Sequence, residues 1–151
     1  MPMIDVYART GAFDDKHAVA QRLAGALMTI EGVPDIAMFR DNTAAFIHEL
    51  PADAIANVNG DSNYVRVQVL TNAGGLNRDK QIAVVARLTE LIAGAPGSPP
   101  PPERIWVLLT EAIGCGGAVG SPPHQRRVGG RRPQSARRTR LLINLNRKGY
   151  P

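Results

Sequence analysis

Cysteine occurs once in this 151-residue chain, as Cys115, so neither an intrachain disulfide nor a cysteine-built metal site is expected. A lone thiol fits a reducing compartment. Aromatics are only 5% of the residues, with one tryptophan, Trp106, which leaves a core to be filled by aliphatic side chains. No apolar run approaches the roughly 20 residues that span a bilayer, and the N-terminus lacks the features of a signal peptide. A cytoplasmic protein with no membrane partner is the expectation. Acid is missing from one region only. Residues 1–113 carry 9 Lys and Arg against 13 Asp and Glu, a formal charge of −4; residues 114–151 carry 9 and no acid, a formal +9. The basic balance of the chain therefore belongs to its C-terminal segment. That segment is rich in Gly, Pro and Arg, with arginine pairs at 126–127, 131–132 and 137–138 and no hydrophobic period before Leu141-Leu142-Ile143. Such a run can meet phosphate backbones, but it lacks the interleaved aromatics of single-strand binders. Nucleic acid is not the expected partner.

What is present is one unit, twice. In the first copy Met3-Ile4-Asp5-Val6-Tyr7-Ala8 alternates as a strand does, and Thr10-Gly11-Ala12 makes a turn. Asp14 and Asp15 suit a helix start, where carboxylates meet the positive end of the dipole. Ala18, Val19, Leu23, Ala26, Leu27 and Ile30 recur at three- and four-residue steps as an apolar stripe, which Gly32 and Pro34 end. Ala44-Ala45-Phe46-Ile47 is a second strand, followed by His48-Glu49-Leu50-Pro51. The second copy keeps the order: Val65, Val67 and Val69 alternate with Arg66 and Gln68, and Asn72-Ala73-Gly74-Gly75 turns the chain. Asn77 is placed to cap a helix whose stripe is Ile82, Val84, Val85, Leu88, Leu91 and Ile92, ended by Gly94 and Pro96. Gly97-Ser98 and the prolines at 99–102 form a stiff connector to the strand Ile105-Trp106-Val107-Leu108-Leu109, which ends in Thr110-Glu111. The boundaries are repeat one at 2–51 and repeat two at 64–113, together one domain at 1–113, then the tail at 114–151.

Each unit is strand–helix–strand, so its two strands are expected parallel with a right-handed crossover. The predicted fold is α+β: two tandem β-α-β units forming a four-stranded sheet with two helices on one face. The valine stripe at 65–69 makes at least one sheet face fully apolar, and an uncovered apolar face calls for a partner, most simply other copies of the chain.

Pro2 stands directly before the first strand. Removal of Met1 leaves it a free secondary amine, held by the strand it opens. A proline in second place is common and usually idle; the repeat behind it is what makes this one informative. Met-Pro at a strand start, a β-α-β unit and a tandem copy together resemble the tautomerase superfamily. The segments Pro2-Met3-Ile4-Asp5-Val6 and Trp106-Val107-Leu108-Leu109-Thr110-Glu111 carry the likeness, which extends from residue 2 to about 112. The nearest type is the fused, two-copy relatives of 4-oxalocrotonate tautomerase, a group that includes the cis-3-chloroacrylic acid dehalogenases. The resemblance implies a homotrimer of two-copy chains, a small-molecule substrate, and neither cofactor nor metal. It also implies that the Pro2 amine takes a proton from an enol hydroxyl, or from the carbon beside a carbonyl, and returns it elsewhere. Free α-amino groups titrate at roughly 7.7–8.0, and burial or a nearby cation favours their neutral form.

The chain also departs from its relatives. Their first-turn arginine falls on Ala12, and the arginine before the closing glutamate falls on Trp106 in repeat two and Ala44 in repeat one. The dehalogenases' helical histidine falls on Leu27, and their paired arginines near Asn72 and Gly75. A monocarboxylate or phenolic enol is therefore favoured over a dicarboxylate. Asn72, Arg40 and Trp106 are the candidate substrate-binding residues beside the catalytic candidate Pro2. Their plainer roles are a turn residue, a solvated loop charge and a packing residue. His17 reads as exposed and His48 as structural. A keto-enol tautomerase acting on a small 2-oxo or enol acid is the leading expectation. A hydratase, dehalogenase or decarboxylase of the same superfamily, or an inactive trimeric scaffold, is the alternative.

The tail carries two competing expectations. It is a basic extension, or it is the product of a frameshift near residues 113–115. In the second case, a choice of GC-rich codons for residues 119–136 exists that, read in a neighbouring frame, spells the capped start of an acidic helix. Relatives carry a Gly-Gly-aromatic-Gly motif there, whose aromatic falls on Gly117. Its loss implies a more open, impaired site.

Overall fold

Alternating and three-to-four-residue periods become strands and helices where the sequence places them. The computed structural model describes residues 2–112. Strand β1 spans Met3–Arg9, helix α1 Lys16–Glu31, a one-turn helix α2 Ala37–Arg40, and strand β2 Ala44–Leu50. Strand β3 spans Val65–Asn72, helix α3 Arg78–Ala93 and strand β4 Ile105–Ala112. Short 3-10 turns at Ala52–Ala54 and Pro102–Arg104 lead out of β2 and into β4. The tail and the question of its reading frame lie outside the described residues.

Both long helices start on the same device. The Asp15 carboxylate accepts from the Ala18 backbone N–H at 2.9 Å, and the Asn77 side-chain oxygen accepts from that of Lys80 at 2.9 Å. Each takes up a donor that the first turn cannot satisfy internally. Gly32 ends α1 in the left-handed conformation, with φ 72°.

The sheet order is β2-β1-β3-β4. β1 pairs parallel to β2, and β3 parallel to β4, as two β-α-β units require. The units join through an antiparallel contact of β1 with β3, Met3 opposite Leu70 and Val6 opposite Val67. One sheet face lies under α1 and α3. Ile4, Val6 and Ala8 of β1 and Val65, Val67 and Val69 of β3 are fully buried there against Leu23, Leu27, Val84, Leu88 and Ile92. Each fully buried valine, leucine or isoleucine among them contributes roughly 1.5–3 kcal/mol.

The valine stripe does form a fully apolar face, and the helices cover it. Two details depart from the expectations. Ile82 and Val85, assigned to the apolar stripe of α3, are exposed at 54% and 39%, so that stripe is narrower and centres on Val84, Leu88, Leu91 and Ile92. Helix α2 was not foreseen; a single turn is too short to show a period.

The uncovered face is mixed. Met3, Phe46, Leu70, Trp106 and Leu108 stand exposed on it among polar groups. Across its middle, His48 stacks on Tyr7 with ring centroids 4.6 Å apart, and Arg66 lies over Tyr7 at 5.5 Å. His48 Nε2 also bonds Asp5 Oδ1 at 2.7 Å. His48 is thus bound into this strand-to-strand network, in keeping with a structural role.

At the end of the sheet remote from Pro2, Glu49 ties the first turn to β2. It accepts from Lys16 Nζ at 2.7 Å and from the Gly11 N–H at 3.1 Å. The lysine hydrogen bond, then the backbone one, hold its carboxyl below the ordinary glutamate range. A depressed carboxylate stabilises the fold above its unfolded value, and that contribution is lost as pH falls through the folded value. Glu49→Gln is therefore expected to lower the urea midpoint at neutral pH, by a small amount because water screens the pair. The gap from wild type should close below the ordinary glutamate range. A gap that persists there would show that the charge is not its source.

Candidate active site

Pro2 is buried, one residue before β1, and alternation places it on the helix-covered face in line with Ile4, Val6 and Ala8. Continued by one residue, the pairing of β1 sets it beside Thr43 ahead of β2 and opposite Thr71 near the end of β3. Thr71 is a buried polar residue, 3% exposed. The same row reaches Glu111 on β4, which pairs with Thr71.

Four chain segments converge on this end because of the topology. A crossover helix runs antiparallel to its strands, so α1 finishes over the start of β1. The antiparallel β1–β3 joint brings the end of β3 and the start of α3 to the same place. Glu31 and Gly32 close α1 here, and the turn after Asn72 leads to α3. Lys80 Nζ donates to the Glu31 backbone carbonyl at 2.8 Å. The terminal carbonyls of a helix lack internal partners and sit at its negative end, so a lysine there is favourable.

The candidate binding residues distribute unevenly around Pro2. Asn72 ends β3 one row beyond it, exposed, on the opposite face by alternation; its backbone carbonyl accepts from the Gly75 N–H at 2.9 Å, closing the turn. Arg40 lies at the same end in α2, with its guanidinium held by Asp35 at 2.6 Å. It borders a groove of about 870 Å³ between α1 and β2, lined also by Met28, Gly32, Val33, Thr43 and Ala44. Trp106 is elsewhere. It pairs with Arg66, which pairs with Tyr7, so it stands five residues along the strands from Pro2, about 16 Å, and on the open face. There it packs against Tyr64 at 5.1 Å. Within one chain Pro2 and Trp106 do not meet. His17 lines the groove, at the first turn of α1. Among the described residues no cluster of His, Cys, Asp or Glu is placed to hold a metal ion, and no helix is long and apolar enough to cross a membrane.

Two groups at this end were not singled out by sequence: Glu31 and Lys80. Burial raises the Glu31 carboxyl above its ordinary range, while the positive charges of the amino terminus and Lys80 pull it back. Their one sequence signal was position at a helix end.

The chain has the tautomerase superfamily fold. A fused 4-OT that forms a symmetric trimer superposes with a TM-score of 0.63 at 19% identity, over 78% of this chain and 91% of that one. N1, a member of the cis-3-chloroacrylic acid dehalogenase family, gives 0.60 at 21% identity over 73% and 74%. Pt0534, inactivated by 2-oxo-3-pentynoate, gives 0.62 at 19% over 73% and 85%. At these identities what is shared is the fold. No protein-family model and no curated protein matches the sequence.

Proposed function

We propose that the chain is a keto-enol tautomerase that uses the Pro2 amine, freed by removal of Met1, as a general base on a small 2-oxo or enol acid. The observation that carries this reading is the placement of Pro2. It is buried on the helix side of the sheet, at the head of a strand held by neighbours on both sides, where α1, β3 and α3 converge. Hydrogen-bonded strands leave the ring little freedom, which keeps base and substrate in register. Inactivation of the structurally similar Pt0534 by 2-oxo-3-pentynoate, itself a 2-oxo acid, supports the substrate class. The testing experiment is the ketonisation of enolic phenylpyruvate by wild type and Pro2→Ala.

The assembly proposed is a homotrimer that buries the open face of the sheet. The structurally similar fused 4-OT is a trimer, and the apolar side chains exposed on this face suit such burial. Leu108, near the centre of β4 and 44% exposed, is the probe. Sedimentation equilibrium is expected to give three times the chain mass for wild type. Leu108→Arg is expected to sediment as a folded monomer, because an unpaired charge does not enter an apolar interface cheaply. A monomeric wild type would refute the trimer.

A further inference from the structure

We propose that the groove between α1 and β2 is the substituent subsite of the Pro2 site, and that the chain acts on 2-oxo acids carrying a long alkyl chain. The proposal rests on the Pro2 reading above and names the substrate within it. Its ground is continuity. Thr43, which the continued β1–β2 pairing sets beside Pro2, lines the groove, and so does Ala44, the partner of Met3. Met28 and Gly32 line it from the end of α1 that finishes over the start of β1. An acid whose reacting carbons lie at Pro2 therefore has this space adjoining it for the rest of its chain.

Shape and charge select that remainder. The groove holds about 870 Å³, toward the upper end of the ~300–1,000 Å³ of ligand pockets and more than a pyruvate-sized acid fills. It follows α1 from Gly32 back to His17, a rise of about 22 Å, so an extended chain suits it better than a single ring. Ala20, Ala24 and Met28 lie half-buried along the helix wall, and Val33 and Ala45 add apolar surface from the connector and β2. The formally charged residues of the lining are spent on each other. Arg40 Nε donates to Asp35 Oδ1 at 2.6 Å and Nη2 to the Asp35 backbone carbonyl at 3.2 Å. Such a lining accepts an uncharged chain and offers no cation for a second carboxylate.

The fold does not fill the space itself. A Cβ at Gly25, in the lining halfway along α1, would meet nothing within 4 Å. Glycine inside a helix is less stable than alanine, and here no neighbour requires it. β2 is an edge strand, so no further strand of the described residues closes the groove from outside.

The test follows exchange of the C3 protons of 2-oxobutanoate and 2-oxodecanoate for solvent deuterium, by NMR, with full-length, Met1-free protein. The Pro2 nitrogen takes a C3 proton as the enol forms, the ammonium exchanges it with solvent, and a deuteron returns to C3. Wild type is expected to favour 2-oxodecanoate in kcat/KM by about 10-fold or more, because each buried methylene strengthens binding. Ala24→Leu, which fills the groove midway, is expected to lower that preference by about 10-fold. A wild type without the preference, or an Ala24→Leu that keeps it, overturns the proposal. So does an Ala24→Leu that loses the wild-type mass in sedimentation equilibrium, since the groove would then be covered by a second copy. Should Ala24→Leu fail to fold, Ala20→Leu, one turn earlier on the same wall, carries the same reading. Failure of the Pro2 reading looks different: Pro2→Ala would exchange either acid as fast as wild type. The length preference and its loss in Ala24→Leu would still be read in binding of the two acids by titration calorimetry.

Discussion

Pro2→Ala is expected to lower the rate of phenylpyruvate ketonisation by about 100-fold or more, the scale on which a positioned general base contributes. The substitution is a demanding one, because alanine also offers an N-terminal amine once Met1 is removed. What it loses is the secondary amine and the ring, which fixes φ near −65° and so fixes where the nitrogen lone pair points. It also loses buried apolar contact on the helix side, beside Ile4. Mass spectrometry establishes that Met1 is absent from both proteins, and circular dichroism that both fold. A Pro2→Ala protein as fast as wild type would remove Pro2 from the mechanism. A protein in which Met1 is retained should be inactive in the same assay, because its Pro2 nitrogen is an amide with no lone pair to offer.

Gly97→Ala is expected to destabilise the domain by about 2–5 kcal/mol. Gly97 has φ +121°, where an L side chain costs about 1–2 kcal/mol. A Cβ there would lie 2.7 Å from the Ala12 carbonyl oxygen, 3.0 Å from the Asp14 nitrogen and 3.0 Å from Phe13 Cα. All three are backbone atoms that cannot swing aside, and overpacking of this sort adds about 1–3 kcal/mol. The contact is structural. The Asp14 N–H donates to the Pro96 carbonyl and the Ser98 N–H to the Ala12 carbonyl, each at 3.0 Å, with Phe13 and Gly97 bridged between them. This lock joins the first turn of repeat one to the exit of α3, at the end of the sheet away from Pro2. Gly74→Ala is the control. It too has positive φ, +73°, but a Cβ there meets nothing within 4 Å, so only the conformational part of the loss should appear. Equal losses at the two sites in urea titrations would show that the close approach to residues 12–14 contributes nothing. At a temperature where both remain folded, Gly97→Ala should keep the wild-type ketonisation rate, since the lock is remote from Pro2.

Much of this architecture was legible because it is local. Period-two alternation at residues 3–8 and 65–69, helical spacing from Val19 to Leu27 and from Val84 to Ile92, and side-chain caps at Asp15 and Asn77 each lie within a few residues of sequence. The repeat then implied two parallel pairs, and both are present. Pro2 was legible as a candidate for the same reason: a residue before a strand is placed by that strand.

The rest depends on pairings between distant residues. No local pattern says that β1 and β3 meet antiparallel with Met3 opposite Leu70, yet that register decides which groups share the Pro2 end. It places Asn72 near Pro2 and Trp106 five residues away on the other face. It also brings Lys80 to Glu31 across 49 positions of chain. Likewise, an apolar stripe shows that a face must be buried without saying under what; the valines of β3 proved to be the ground on which the helices pack. By itself, then, the sequence determined the elements, their caps and the two-unit plan, because propensity and periodicity act over one or two turns. Only the tertiary structure decided which face stays open and which side chains surround Pro2, because strand order and register follow from burying both repeats in one core.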